Sequence, residues 1–218
     1  MAELVLSKDY FISCLRNIAA VFEQQKLYLT QLDSDIGDGD HGVNLSIGFR
    51  EVSLQLPQLQ NDTIDIGELL KKVGFILLSK VGGASGPLYG SFFIAMGKSA
   101  AGKSQVKFAE FCKMLTLGVE SIEARGKAKQ GDKTMLDALL PGIESLKTNA
   151  ATMKPLEVIE KMVKVMQEGA ESVVPLAAKK GRAMRLGERA IGHKDPGAES
   201  SVMLMQAFQE ALHELVNK

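Results

Sequence analysis

The sequence has no surplus of charge. In 218 residues, 26 Lys and Arg stand against 26 Asp and Glu, so no global field draws the chain to nucleic acid or an acidic membrane. Any anionic ligand has to be held locally. Cysteine is scarce: Cys14 and Cys112 fall on apolar faces of helical patterns without metal-type spacing, which predicts reduced core residues. There is no apolar run long enough to span a membrane, and Met1 to Asp9 carry no basic stretch followed by an apolar one. The expectation is a cytoplasmic protein without membrane contact. Repeats and low-complexity linkers are also missing, and with 45% hydrophobic and 24% charged residues the chain reads as one soluble domain over residues 1–218.

What is present is helical periodicity. Phe11, Ile12, Cys14, Leu15, Ile18, Val21 and Phe22 recur behind Ser7, a candidate N-cap, predicting a first helix to about residue 30. A second runs from His41 to about Leu56, where Val52, Leu54 and Leu56 also alternate as a short strand would; Pro57 ends either one. Thr63 to Lys80 forms a third with Asp65 as cap, and Pro87 sits in the first turn of a fourth. Further helices follow on Phe108 to Ile122, from Thr134, from Pro155 with a kink at Pro175, and on Val202 to Leu212. Eight helical segments with short connections and no secure strand predict an all-α antiparallel array. Helix parity alone does not bring its glycine-bearing loops at 33–42, 81–87, 125–133 and 181–197 to one side.

The densest chemistry lies in Asp33-Ser34-Asp35-Ile36-Gly37-Asp38-Gly39-Asp40-His41-Gly42. Crowded carboxylates are costly without a counter-charge; Asp33, Asp38 and Asp40 offer hard oxygen ligands for Mg²⁺ or Ca²⁺, and the glycines let the backbone turn. Asp and Gly also build ordinary turns, but four acids with a histidine in ten residues favour the metal. Gly82-Gly83-Ala84-Ser85-Gly86 precedes a helix, so its N–H groups suit phosphate; a tight turn needs the same small residues, and the acidic run tips the balance toward phosphate. Gly97 to Ser104 matches the Walker A spacing, yet no strand precedes it and no acid-ended strand follows, so it reads as a polar turn. Arg182, beside Gly181 in a basic stretch, is able to grip a phosphate bidentately. His41 and His193 are each either a phosphate donor or a cap, and no Ser-His-Asp triad is supported.

Together, Leu32 to Gly42, Gly82 to Gly90, Gly131-Asp132-Lys133-Thr134-Met135, and Gly181-Arg182-Ala183 through Gly192-His193-x-Asp195-Pro196-Gly197-Ala198 closely resemble the nucleotide-binding L subunits of dihydroxyacetone kinases, over essentially the whole chain. The resemblance implies an eight-helix antiparallel barrel that binds ADP or ATP at one end through two Mg²⁺. It implies Asp33, Asp38 and Asp40 as metal ligands, with His41, Gly42, Val43, Asn44, Ala84 and Ser85 around the phosphates. Gly126, Met135, Arg182, Asp195, Pro196 and Gly197 complete the nucleotide site, Met135 lying against adenine. Asp35 stands behind the ligands as a supporting residue, and Glu199 stands as an extra residue before the last helix.

In such systems dihydroxyacetone sits on a separate K subunit, where the base that takes its proton is expected. A phosphohistidine-bearing M subunit of the phosphotransferase system recharges bound ADP to ATP. Contact with a transcription regulator belongs to the same family picture. Two other readings stay open at this point: an ATP-dependent kinase subunit for another small ketose or polyol, and a non-catalytic helical regulator whose acidic loop holds a structural ion.

Overall fold

A computed structural model describes residues 4–217. It is all-α apart from one small ribbon. The helices are α1 (Lys8–Gln24), α2 (Lys26–Ile36), α3 (His41–Asp62), α4 (Ile66–Lys80), α5 (Ser85–Ser99), α6 (Phe108–Gly126), α7 (Leu136–Asn149), α8 (Pro155–Ser172) and α9 (Pro196–Val216), with a 3-10 segment at Ala183–Ala190. Asp65 caps α4 by accepting from the Glu68 N–H at 2.7 Å, and Pro155 opens α8 as expected.

Several boundaries differ from the sequence reading. The first helix is two, because at Gln25 the chain turns enough for α2 to leave α1 and pack on α3, α9 and the 3-10 segment. Nothing in Gln25-Lys26 announces a break. Pro57 does not end α3: Ser53, whose carbonyl loses its N–H partner, and Pro57 itself are both exposed, while Leu56 and Leu59 stay anchored in the core. Leu54 is 71% exposed between buried Val52 and Leu56, a helical face and not a strand. Pro175 lies beyond α8, which stops at Ser172. Two strands escaped notice, β1 (Val5–Ser7) and β2 (Gln105–Lys107), which pair antiparallel with Leu6 opposite Val106. Three residues each are too few for alternation to register. Ser7 precedes α1 but makes no side-chain cap bond.

In chain order α1 packs on α3, α3 on α4, and so on through α5, α6, α7 and α8 to α9, which returns to α1. The interior is filled by aromatic and aliphatic side chains. Phe22, Phe49, Tyr89 and Phe93 form one group of touching rings and Tyr10, Phe11, Phe111 and Phe208 another. Cys14 and Cys112 are buried free thiols. Residues of the junctions α2–α3, α4–α5, α6–α7 and α8–α9 line one cavity, so these junctions gather at one end. The remaining turns gather at the other, where Lys103 O accepts from Ile66 N and Asp65 Oδ2 from Gly102 N. The glycine-bearing loops thus share one end.

The tightest helix pair is α4 with α5. A Cβ on Gly74 would lie 2.7 Å from the Gly90 carbonyl oxygen and 2.6 Å from Ile94, and one on Gly97 would lie 2.7 Å from the Gly67 carbonyl. Replacing Gly74→Val should therefore cost ~1–3 kcal/mol by overpacking. A urea titration would read this as a lowered midpoint with an unchanged slope.

Candidate functional site

The site begins where α2 meets α3. Asp33, on the last turn of α2, is only 7% exposed, and its Oδ2 accepts from the backbone N–H groups of Asp40 (2.8 Å) and His41 (3.1 Å) at the start of α3. The carboxylate therefore caps a neighbouring helix, a stabilising place for negative charge. Gly37 makes room for it: a Cβ there would lie 2.0 Å from Asp33 Oδ1. Gly39, at φ +72°, turns the chain back. In consequence Asp33, Asp38 and Asp40 each present an oxygen within 4.8 Å of the others, a set of hard donors fit for a divalent cation. Desolvation first, and then Asp40 and Asp33, push the Asp38 carboxyl above its usual range, against the pull of Arg182. The Arg182 guanidinium is paired directly with the Asp38 carboxylate.

These groups line one wall of a cavity of about 490 Å³. His41, Ala84 and Ser85 adjoin the carboxylates at the starts of α3 and α5, where unpaired N–H groups and both helix dipoles favour an anion. Gly126, Met135, Arg182, Asp195, Pro196 and Gly197 complete the surround, and Ile36, Leu88, Ile122 and Leu136 join Met135 to make one side apolar. Gly42, Val43 and Asn44 do not line the cavity. Gly42 is buried because α3 crosses α2 there: a Cβ would lie 2.1 Å from the Lys26 carbonyl oxygen. Asn44 lies behind the loop, its amide about 3 Å from where a Gly82 side chain would begin. Asp35 faces outward to Gln31 and His193, 3.7 Å from the His193 Nδ1, so neither Asp35 nor His193 joins the acidic cluster.

His41 is held from both ring nitrogens. Nε2 lies 2.9 Å from Ser200 Oγ and Nδ1 lies 3.1 Å from Ser85 Oγ, while Tyr89 OH lies 2.7 Å from the same Ser200 oxygen. Burial pushes the imidazole down to about 4, although Asp33 and Asp40 pull it up, so the ring is neutral at pH 7. Tyr89 lies within the Gly82–Gly90 stretch but with no role assigned to it there, and Ser200 lies outside every motif. The signal available for Ser200 is only its nearness to Asp195-Pro196-Gly197.

The far wall is built on acids and one lysine. Asp132 Oδ2 accepts from Lys129 N at 2.9 Å, and Asp137 accepts from Gly131 N and from Thr134 N (2.8 Å), shaping the turn before α7. Lys133 Nζ donates to the carbonyls of Val173, Val174, Leu176 and Ala190. Asp195 caps α9 by accepting from Ala198 N at 2.7 Å, with Pro196 in its first turn. Burial raises its carboxyl to about 7, against the pull of the Ala198 N–H and of Lys133; Asp137 and Asp33 add to the rise. Helix α9 continues unbroken through Glu199, which accepts from Tyr28 OH and pairs with Lys194.

Comparison with known proteins places this geometry in context. Residues 35–210 match the DAK2 domain. The chain is 55% identical over 216 residues to the ADP-binding subunit DhaL of PEP-dependent dihydroxyacetone kinase 2 from Listeria innocua, covering 99% of this chain and all of that one. It is 40% identical over 210 residues to the ADP-binding subunit DhaL of the PEP-dependent dihydroxyacetone kinase of Escherichia coli, covering 96% of this chain and 99% of the relative. Among solved structures, the dihydroxyacetone kinase of C. freundii in complex with AMP-PNP and Mg²⁺ superposes with a TM-score of 0.69 at 27% identity. That match takes in 91% of this chain but only 33% of the other, so the present chain corresponds to one part of a longer protein there.

Two expectations follow from the geometry. In Gly37→Ala the new methyl displaces the Asp33 carboxylate, and calorimetry should find divalent-cation binding weakened at least tenfold in a protein that still unfolds cooperatively. The Asp195 carboxyl, raised above its unfolded value, binds its proton more tightly in the native state. This group therefore contributes stability below about pH 4 and loses it as pH rises to about 7, by at most about 1.4 kcal/mol per unit. Asn keeps the cap acceptor, so in urea titrations without ligand Asp195→Asn should match the parent near pH 4 and exceed it increasingly up to pH 7.

Proposed function

The chain belongs to the DAK2 domain family, and on that premise we propose that it is the ADP-binding subunit of a dihydroxyacetone kinase driven by the phosphotransferase system. The observation that carries the reading is a single cavity with three converging carboxylates and two helix N-termini on one wall and Met135 among aliphatic side chains on the other. That division matches a nucleotide, with phosphates and metal at the charged wall and the base against the apolar one. The relatives named for ADP binding match over nearly their whole length.

In this reading Asp33, Asp38 and Asp40 hold two Mg²⁺, for which carboxylate oxygens are the natural ligands. Bound Mg²⁺ neutralises the phosphate oxygens, the main electrostatic demand of phosphoryl transfer. Ala84 and Ser85 at the start of α5, with His41 beside them, receive the phosphates, while Gly42, Val43 and Asn44 stand behind this wall. Arg182 adds a bidentate contact to them, and Gly126 with Asp195-Pro196-Gly197 closes the pocket beside Met135. The cyclic order of α1 and α3 to α9 supports an eight-helix antiparallel barrel with the nucleotide at one end. Dihydroxyacetone is held by a K subunit that docks at this end and supplies the base for its hydroxyl proton; a phosphohistidine M subunit is the phosphoryl donor. A transcription regulator is a further partner of this reading, and the cytoplasm its compartment. Among the described residues no helix is long and apolar enough to cross a membrane.

The test is Mg²⁺-dependent retention of ADP. Asp38→Asn should abolish it while the helical circular dichroism persists, and unchanged affinity would overturn the assignment. Reconstituted with a K subunit, the parent chain should turn over with phosphorylated M protein and not with catalytic amounts of free ATP alone.

A further inference from the structure

Lys133 borders the cavity, yet its ammonium is taken up by backbone carbonyls, and it is the one buried cation among the described residues, at 1% exposure. Its backbone lies at φ +61°, in the left-handed region that glycine or asparagine enters more easily. A lysine kept in a strained conformation and stripped of water implies that the ammonium is needed there, since a buried charge is tolerated only with good partners. Its partners are four backbone carbonyls: Ala190 at 2.8 Å, Val173 at 2.9 Å, Leu176 at 3.1 Å and Val174 at 3.3 Å. Three of them belong to the turn that follows α8, at the negative end of that helix where a cation is favoured; Val173 O and Val174 O also accept from Leu176 N and Gly192 N. The fourth closes the 3-10 segment that starts just after Arg182.

Apart from this cage, the wall from Val173 to Asp195 is held by side-chain ion pairs, Arg182 with Asp38, His193 with Asp35, and Lys194 with Glu171 and Glu199, and by a small patch of apolar packing. Its own apolar cluster is Ile36, Ala178, Ala183 and Ala190 with Leu186 alongside, separate from the main core. One backbone bond ties it to the turn before α7, Lys179 N to Asp132 O at 3.0 Å, and another, Gly192 N to Val174 O at 2.8 Å, closes the wall on itself; both are immediate neighbours of the ammonium cage. We propose that Lys133 is a positioning residue for nucleotide binding, because its caged ammonium clamps the 173–195 wall onto the turn before α7 and so places Arg182 and Asp195-Pro196-Gly197 around the cavity. The proposal rests on the ADP-binding reading above.

Two variants and two readouts test it. Lys133→Met keeps the length of the side chain without its donors, and Lys133→Ala leaves a carbonyl-lined hollow. Both should bind Mg²⁺-ADP at least tenfold more weakly, with faster amide hydrogen exchange confined to 173–195 and unchanged exchange in α4 and α5. Propylammonium should restore affinity to Lys133→Ala in a saturable manner, whereas tetramethylammonium, equally charged but without N–H donors, should not; Lys133→Met should not respond to either. Parental affinity and exchange in Lys133→Met would overturn the clamp. Exchange raised throughout the chain would overturn it too, as it would mark a general loss of stability, and so would failure of propylammonium to rescue Lys133→Ala. If the parent chain itself bound no ADP, the nucleotide reading would fall and the positioning role with it, while the exchange pattern would still report whether the clamp exists.

Discussion

Carboxylates at close quarters repel, and the arrangement of this site depends on how the fold tolerates three of them. Asp33 carries most of that burden. It is nearly out of water, but the N-terminus of α3 solvates it through two backbone N–H groups on one oxygen, while the carboxylate keeps an oxygen within 4.8 Å of Asp38 and Asp40. Its place is guaranteed by atoms that are missing. Gly37 has no side chain to collide with it, and Gly42 lets α3 come close enough to α2 for the hydrogen bonds to form. A helix cap and a candidate metal ligand are here the same group, so the local fold and the local chemistry are under one constraint.

The rest of the molecule separates rigidity from chemistry. Interlocked aromatic rings and glycine-mediated contact between α4 and α5 give a core in which side chains have little freedom. Polar loops at one end then supply groups from distant parts of the chain: Asp33 to His41, Ala84 and Ser85, Lys133 to Asp137, and Arg182 to Gly197. Because helix directions alternate, every second connection falls at that end. The intervening turns, with the β1–β2 ribbon, serve only to close the other.

How far this was legible in the sequence depended on distance along the chain. Asp65 and Pro155 announce their helices because caps act within one turn. The acidic cluster was legible because its three members lie within eight positions and the glycines between them have few other uses. Gln25 and Pro57 misled, since a smooth half-turn leaves no compositional mark and an exposed carbonyl can be satisfied by water. Lys133, Tyr89 and Ser200 were the hardest. Their partners lie 40 to 57, 111 and 159 residues away, and no local pattern records such pairings. The shared loop end, by contrast, is open to counting, contrary to the parity reading of the sequence: loops 33–42, 81–87, 125–133 and 181–197 are the first, third, fifth and seventh connections of an eight-helix array and fall together, as the cavity they line shows.

The bond between Arg182 and Asp38 has a consequence for selectivity. With that guanidinium in place the acidic cluster is partly neutralised by the protein itself, so a cation entering beside Asp38 competes with a resident and does not fill a bare negative hole. A monovalent ion brings no more charge than the guanidinium and lacks its directed hydrogen bonds, whereas a small divalent ion brings twice the charge to three oxygens at once. If the cluster holds a cation as proposed, discrimination against monovalent ions draws on an internal competitor as well as on the dimensions of the cage. The arginine displaced in this exchange is left free beside the same cavity, where an arriving anion can take up its charge.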